Sequence, residues 1–209
     1  LNLTRSFVAE FRHAKGKTAE FVYLPLETDF RPQLERAKAF GAEVLLLPGS
    51  FTDATLVATQ AEKMGFRPTL LGGDGWASPL LFKRGHPRGS AFYGNHCALP
   101  RAFAARYRAR FGEDTEGCRA LLSYDAVQAL RAALEALGPL PDDALASDLA
   151  HTRERLRASL SAVATTGASG PLRFDEKGDI ERGISITEVS VETGPPLQRE
   201  LAWIGREGH

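Results

Sequence analysis

Residues 43–51 read EVLLLPGSF, and residues 69–76 read TLLGGDGW. Each stretch begins with a short continuous apolar run, which is typical of parallel strands covered on both faces, and then turns at glycine. Helical patterns flank both runs, so strand and helix alternate along the first half of the chain. Two consecutive strand–helix–strand units with short loops predict an open parallel sheet. The predicted fold class is therefore α/β.

The rest of the first half is assigned from apolar spacing and from residues that begin or end helices. Phe7, Val8 and Phe11 lie on one face of a predicted helix, and the run from Glu20 to Leu26 is typical of a strand. The predicted elements are helices over 4–13, from Asp29 to Gly41 and from Thr52 or Asp53 to Gly65, with a strand over 20–26.

The second half changes to long amphipathic helices and then returns to strands. Pro100 suits the first turn of a helix, and residues 175–178 read DEKG, which predicts a tight turn. The predicted elements are helices over 100–111, 120–137 and 148–163, and strands over 171–174, 184–191 and 198–204.

The overall charge argues against two classes of partner. Lys and Arg number 26, as do Asp and Glu, so the formal net charge is zero. Such a chain has no overall field that would attract nucleic acid or an anionic membrane. Apolar runs stay well short of the roughly 20 residues that span a bilayer, so no membrane-spanning segment is predicted.

Motifs for catalysis, metals and cofactors are missing from the sequence. Residues 167–171 read GASGP and fail the G-x-S-x-G pattern of a nucleophilic serine at the last position. Gly72, Gly73 and Gly75 do not complete a dinucleotide-binding G-x-G-x-x-G, and the five histidines are scattered without metal-ligand spacing. We therefore expect no enzyme activity, no metal and no cofactor.

Two cysteines, Cys97 and Cys118, lie 21 positions apart. They lack the C-x-x-C spacing of a metal or redox site, so they form one disulfide in an oxidising compartment or remain two buried thiols. The sequence alone leaves both alternatives open.

A candidate binding site lies where the two predicted parallel strands end. Ligands of open α/β sheets bind beyond the carboxyl ends of the strands. Ser50 and Phe51 follow the first strand, and Gly73, Asp74 and Trp76 follow the second. A carboxylate between glycines can approach a ligand closely and receive an ammonium group. Alternatively, Asp74 caps a helix that begins near residue 78, or holds a tight turn.

Several short motifs then occur in one order along nearly the whole chain: TDF at 28–30, GGDG at 72–75, YDA at 124–126 and GPLRFDEKGD at 170–179. In this order and spacing the sequence resembles the branched-chain amino-acid receptor family of type I periplasmic binding proteins, over the family's C-terminal part. The resemblance implies two Rossmann-like lobes that close on a small solute by a hinge motion.

The resemblance also implies a division of the chain. Residues 1–98 would form most of the second lobe, residues 99–180 would supply helices and a strand of the first lobe, and residues 181–209 would return to the second. The N-terminal half of the first lobe has no counterpart, so we expect a fragment. A periplasmic or extracellular location is implied, with a lipid anchor conceivable through an absent N-terminus.

Position by position, Asp74 corresponds to the acidic residue that receives the ligand's ammonium group, with Gly73 and Trp76 beside it. Ser50 and Phe51 correspond to a pair at the cleft mouth where the family often has an aromatic residue, and Ser50 departs from that pattern. Arg119 corresponds to a position that can face the ligand, where a guanidinium would favour an additional acceptor; a salt bridge at the helix start is the alternative.

The function implied by the resemblance is capture of an amino acid or similar solute for the membrane permease of an ABC importer. The alternative is a ligand-sensing domain of a signalling or regulatory protein on the same fold. A small-molecule solute is the expected ligand in both cases, and nucleic acid is not an expected partner.

Overall fold

A computed structural model describes residues 2–78, 80–82, 90–115, 117–139, 148–180, 183–190 and 197–204 of the 209-residue chain. The chain divides into two compact units, which are described separately. Unit 1 comprises Leu1–His96 with Ile184–Ile204, and unit 2 comprises Cys97–Gly183. No helix in the described ranges is both long and apolar enough to cross a membrane.

The helices and strands have the following bounds. The helices are α1 (Asn2–His13), α2 (Arg31–Phe40), α3 (Phe51–Lys63), α4 (Arg101–Phe111), α5 (Arg119–Leu137) and α6 (Leu149–Ser161). The strands are β1 (Val44–Leu47), β2 (Thr69–Gly72), β3 (Ala91–Asn95), β4 (Ala164–Gly167), β5 (Gly170–Arg173), β6 (Ile184–Ser190) and β7 (Leu197–Ile204).

Unit 1 is built on a five-stranded sheet in the order β1-β2-β3-β6-β7. Strands β1, β2 and β3 are parallel, with Leu47 opposite Gly72 and Gly72 opposite Tyr93. Strands β6 and β7 are antiparallel to their neighbours. The predicted α/β class and the parallel pairing of the first two strands are confirmed, and β3 is a third parallel strand that the sequence did not reveal.

Two apolar clusters hold the helices of unit 1 on this sheet. Phe30 and Leu34, from the start of α2, pack with Val57 and Ala61 on α3. A second cluster joins α3 to the strands and to the segment after β2, and its largest members are Leu70, Trp76, Phe82 and Tyr93. Burial of these side chains, at about 1.5–3 kcal/mol each, is the main force that fixes the strand ends.

The predicted strand over 20–26 was wrong. These residues form no ladder, and β1 pairs with β2 alone among the described strands. Pro25 has no backbone N–H to donate, and Leu26 has a left-handed φ of 66° that ends the extended run. Val22 and Leu24 are 87% and 69% exposed, so the apolar run from residue 20 to residue 26 indicated neither a pairing partner nor burial.

Two predicted helix starts are each displaced by a residue or more. Phe30, not Asp29, precedes α2, and the Asp29 carboxylate instead accepts hydrogen bonds from Arg31. Ser50, not Thr52 or Asp53, caps α3. The end of α2 at Gly41 is confirmed, where φ is 76° and the glycine adopts the left-handed conformation.

Unit 2 contains α4, α5, α6 and an antiparallel hairpin of β4 and β5. The buried carboxylate of Asp125 on α5 accepts the backbone N–H groups of Ala168 at 2.6 Å and Ser169 at 3.0 Å, at the tip of that hairpin. Gly167 is required beside it, since a Cβ there would overlap the carboxylate. The carboxylate therefore ties the hairpin to the helix.

The turn and the helices predicted for unit 2 are confirmed. Strand β4 was not predicted. The turn at 175–178 forms, with the Gly178 N–H donating to the Asp175 carbonyl at 3.0 Å. Helices α4, α5 and α6 lie within two residues of their predicted bounds. In unit 1, the predicted strand over 184–191 forms as β6, and residue 191 lies outside the described residues.

Cys97 and Cys118 form a disulfide, with their Cα atoms 6.3 Å apart. The bond joins the first residue of unit 2 to the residue before α5, and both cysteines are buried beside Phe103 and Leu121. The alternative of two free thiols is thereby excluded.

Unit 2 is inserted between two neighbouring strands of unit 1. The chain leaves unit 1 after β3 and returns at β6, and these strands are hydrogen-bonded neighbours with Asn95 opposite Ser185. The Ser185 hydroxyl also donates to the Asn95 carbonyl at 3.4 Å. The two points of connection therefore lie side by side.

Candidate functional site

The candidate site is the edge of the unit 1 sheet at which three parallel strands end. Because β1, β2 and β3 run in the same direction, the residues that follow them emerge on one side of the sheet. Gly49 and Ser50 follow β1, Gly73 and Asp74 follow β2, and His96 follows β3. The sheet therefore brings together residues that are far apart in the sequence.

Glycines allow the loops after β1 and β2 to touch through their backbones. A Cβ at Gly75 would lie 2.8 Å from the Gly49 carbonyl oxygen, which is too close for any side chain. A Cβ at Gly49 would lie 2.6 Å from both the Tyr23 hydroxyl and the Asp53 carboxylate. The glycines are needed here for close approach, and they bring the two strand ends into contact.

The Asp74 side chain pairs with His96, which follows β3. Asp74–Trp76 form a single 3₁₀ turn, closed by the Ala77 N–H donating to the Asp74 carbonyl at 2.9 Å. The carboxylate is 58% exposed, and its partner among the described residues is His96, whose Nε2 lies 3.1 Å from Oδ2. Asp74 thus begins a tight turn through its backbone, as one alternative held, while its side chain contacts His96; its role as a ligand contact stays a prediction.

Ser50 has a structural task at the start of α3. Its hydroxyl accepts the Asp53 N–H at 3.3 Å, and the Asp53 carboxylate accepts the Ser50 N–H at 3.0 Å. This reciprocal pair is a capping box, which satisfies two backbone donors at the start of a helix. Ser50 is nevertheless exposed, and its role as a ligand contact stays a prediction.

The Tyr23 hydroxyl and the Asp53 carboxylate lie beside Gly49, just after the end of β1. Partial burial raises the pKa of Tyr23, and the negative charge of Asp53 raises it further. The tyrosine therefore stays a neutral donor and acceptor over the ordinary pH range. Sequence analysis missed both residues as parts of this edge, since Tyr23 was assigned to a strand and Asp53 to a helix cap.

The other predicted site residues of unit 1 are more enclosed. Phe51 is half-buried against the core, and Gly73 is buried with a hypothetical Cβ 3.1 Å from the Leu3 side chain. Trp76 is wholly buried, with its indole over Gly72 and its ring edge against Phe82. Packing is the role that the structure shows for Trp76, and ligand contact by these three residues stays a prediction.

Arg119 is the first residue of α5 and belongs to unit 2, where its side chain is exposed. Its ligand role stays a prediction. His96 was not predicted, because β3 was not recognised and the histidine was counted among surface residues. The short apolar run AFY at residues 91–93, which ends at Gly94, is the sequence signal that indicates β3.

A model of a known protein family, described as periplasmic binding protein, matches residues 2–195. The chain belongs to this family. The match covers almost the whole sequence, and the α/β fold with its parallel sheet is that of a type I periplasmic binding protein. No curated protein matches the chain as a relative.

Solved structures with the same fold include several solute-binding proteins. A leucine-binding protein from Thermotoga maritima is 23% identical, with a TM-score of 0.80 over 98% of this chain. A branched-chain amino-acid transporter substrate-binding protein from Streptococcus pneumoniae, solved with isoleucine, is 20% identical, with a TM-score of 0.66 over 93% of this chain. An ABC-transporter solute-binding protein from R. palustris, solved with benzoate, is 16% identical, with a TM-score of 0.70 over 97% of this chain.

The periplasmic binding protein described here spans little more than half of these structural relatives. It covers 57% of the Thermotoga maritima protein and 56% of each of the other two. The shared fold therefore includes a further part, about two-fifths of those chains, with no counterpart among these 209 residues.

Proposed function

We propose that this chain is part of the substrate-binding component of an ABC importer and that it captures an amino acid or a similar small solute without chemical change. The family and its solved relatives are binding proteins. Closure of a hinge over the solute would bury its polar groups, so that each finds a partner.

The observation that carries this proposal is the position of Asp74. Its carboxylate is exposed at the edge where three parallel strands end, and the glycines on both sides have no side chains that could cover it. A full negative charge there suits an ammonium group, and a charge-assisted hydrogen bond is about twice as strong as a neutral one. Tyr23 and Asp53 nearby add further polar groups.

The relatives indicate which solutes to try first. The Streptococcus pneumoniae protein was solved with isoleucine, and a Desulfitobacterium hafniense substrate-binding protein, 21% identical, with leucine. The R. palustris protein was solved with benzoate, which has no ammonium group. We propose an amino acid for this chain because Asp74 supplies the anion that an ammonium group needs and that a carboxylate ligand would avoid.

The disulfide supports a location outside the cytoplasm. Disulfides persist in the periplasm and outside the cell, whereas cytoplasmic thiols are kept reduced. We propose a periplasmic or extracellular location, with a membrane permease as the protein partner that receives the solute.

Calorimetry with the common L-amino acids, beginning with leucine and isoleucine, tests this function. Asp74→Asn keeps the side-chain shape and removes the charge, so we expect it to weaken binding by about 2–5 kcal/mol, or about 30-fold or more in Kd. The matched control is Asp29→Asn, which removes the same charge from an exposed ion pair with Arg31 in the same unit and should leave Kd unchanged.

Two results would contradict the proposal. The first is an absence of binding by any amino acid to the intact chain, and the second is equal affinity in the wild type and in Asp74→Asn. Equal weakening by both substitutions would point to net charge instead of a contact at Asp74.

A further inference from the structure

We infer that His96 sets the affinity of the Asp74 site by competition. The imidazolium form of His96 occupies the carboxylate that the solute's ammonium group needs, so solute binding weakens as the pH falls below neutral. The inference rests on the proposed function, in which Asp74 receives that ammonium group. It adds a residue that controls the site and a proton that is exchanged for the solute.

The sheet of unit 1 fixes the contact between His96 and Asp74. Asp74 begins the 3₁₀ turn after β2, and His96 directly follows β3. Strands β2 and β3 are parallel neighbours, with Gly72 opposite Tyr93, so the two residues emerge side by side. His96 Nε2 lies 3.1 Å from Asp74 Oδ2, within hydrogen-bonding distance. The pair therefore depends on the strand register.

Both side chains of the pair are accessible to a molecule outside the protein. The Asp74 side chain is 58% exposed and that of His96 is 52% exposed. Solvent screens the attraction between charges at such positions, so the pair is held weakly. A solute that brings further contacts besides its ammonium group can therefore displace the imidazole from the carboxylate.

The charge of the imidazole decides what the solute meets at this edge. Histidine changes its charge between about pH 5 and about pH 8. As an imidazolium, His96 neutralises the Asp74 carboxylate and places a positive charge where the ammonium group has to bind. As a neutral imidazole, it leaves the full negative charge to the solute. Low pH therefore favours the internal pair, and neutral pH favours the solute.

The neighbouring strands offer His96 no competing charge. On β3 itself, burial raises the pKa of the Tyr93 hydroxyl, so this side chain stays neutral. On β6, the Glu188 carboxylate is paired with Arg199, with Oε2 and Nη2 2.6 Å apart. Strand β2 carries no ionisable side chain. Asp74 is therefore the charged partner that these strands leave to His96.

Two helices of unit 1 also approach the loop that carries Asp74. Helix α3 contributes Asp53, whose carboxylate accepts the Ser50 N–H in the capping box. Helix α1 approaches through Leu3, beside Gly73, and carries the exposed Arg5. Within the described parts of the chain, neither charge forms an ion pair with the histidine.

Proton and solute exclude each other at this site, which gives the sign of the pH effect. Binding of the solute displaces the imidazolium, so a proton is released whenever the empty site holds one. By thermodynamic reciprocity, protons weaken solute binding to the same extent. For an imidazole that titrates near its ordinary value of about 6.5, complete exclusion raises Kd about tenfold from about pH 7.5 to about pH 5.5. Carboxyl groups ordinarily titrate below this range, so the change reports on histidine.

Calorimetry with L-leucine, L-isoleucine and the other common L-amino acids at both pH values tests the inference. For the wild type, we expect the Kd of the tightest binder to rise about tenfold at the lower pH. His96→Gln keeps a polar side chain without a titrating charge and should reduce this change to less than about twofold. The matched control is His13→Gln, which removes an exposed histidine at the end of α1 in the same unit and should leave the tenfold change intact.

Proton release provides a second measurement. Titrations at about pH 6 in two buffers of different ionisation enthalpy give the number of protons released per solute bound. We expect most of one proton for the wild type and for His13→Gln, and close to none for His96→Gln. A purely structural role of His96 would leave this number unchanged. The glutamine variant should fold as the wild type does, because position 96 is half-exposed.

Three results would overturn the inference while the proposed function survives, because amino acids still bind in each. The first is a wild-type Kd that is equal at the two pH values, and the second is a pH effect that His96→Gln retains. The third is an equal loss of affinity in His96→Gln at both pH values, which would make His96 a direct ligand contact. Absence of amino-acid binding at either pH would instead remove the proposed function, and the inference with it.

Discussion

Asp74 and Asp125 show how surroundings decide the role of the same residue type. Asp125 is buried and accepts hydrogen bonds from two backbone N–H groups and the Ser169 hydroxyl. Its carboxylate therefore binds groups of the protein itself. Asp74 is exposed beside His96, so its carboxylate remains accessible to a group outside the protein. Asp125, within the YDA motif, thus has a structural role.

Replacement of Asp125 is predicted to destabilise unit 2. Asp125→Ala would leave the N–H groups of Ala168 and Ser169 without an acceptor, at a cost of about 2–3 kcal/mol in the free energy of unfolding. Urea denaturation followed by circular dichroism measures the change. Asp114→Ala, at an exposed ion pair with Arg108, should leave the midpoint nearly unchanged. Equal effects of the two substitutions would refute a special role for Asp125.

The elements differ in how much of them could be predicted from the sequence. Strands β1 and β2 were predicted because their apolar runs are bounded by glycine and proline and flanked by helical patterns. The strand over 20–26 was wrong because periodicity predicts an extended backbone but not a hydrogen-bonding neighbour. Strand β4 is only four residues long and two of them are threonine, so it carries no apolar run.

The cap of α3 was assigned two or three residues too late, which has a measurable consequence. Ser50→Ala should reduce the free energy of unfolding by about 1 kcal/mol, because the Asp53 N–H loses its acceptor. Thr52→Ala, at the position favoured by sequence, should change it by less than about 0.5 kcal/mol. Tryptophan fluorescence during urea unfolding measures both, and a larger loss at Thr52 would contradict the observed cap.

At the scale of the whole molecule, tertiary packing limits how much of the site could be predicted from the sequence. Asp74, Ser50 and Phe51 could be placed at one edge because the parallel order of β1 and β2 follows from their short helical connection. His96 and Tyr23 could not, because β3 was unrecognised and the path of residues 20–26 depends on packing against Phe30. Local patterns predicted the loops, whereas tertiary packing decides which side chains meet.

The disulfide is predicted to stabilise one unit and not the other. Cys97 and Cys118 are 21 residues apart, and a cross-link across a loop of that size removes chain entropy from the unfolded state, which stabilises the fold by about 3 kcal/mol. Cys97→Ser with Cys118→Ser should therefore lower the stability of unit 2. Trp76 and Trp203 both belong to unit 1, so tryptophan fluorescence should change little while helical circular dichroism is lost earlier. Coincident shifts in both signals would contradict independent stabilisation.

The neighbouring positions of Asn95 and Ser185 have an evolutionary consequence. A segment whose entry and exit are adjacent backbones of one ladder can be exchanged by recombination without altering the host's strand register. Replacement of the inserted segment would therefore leave the edge that carries Asp74 unchanged.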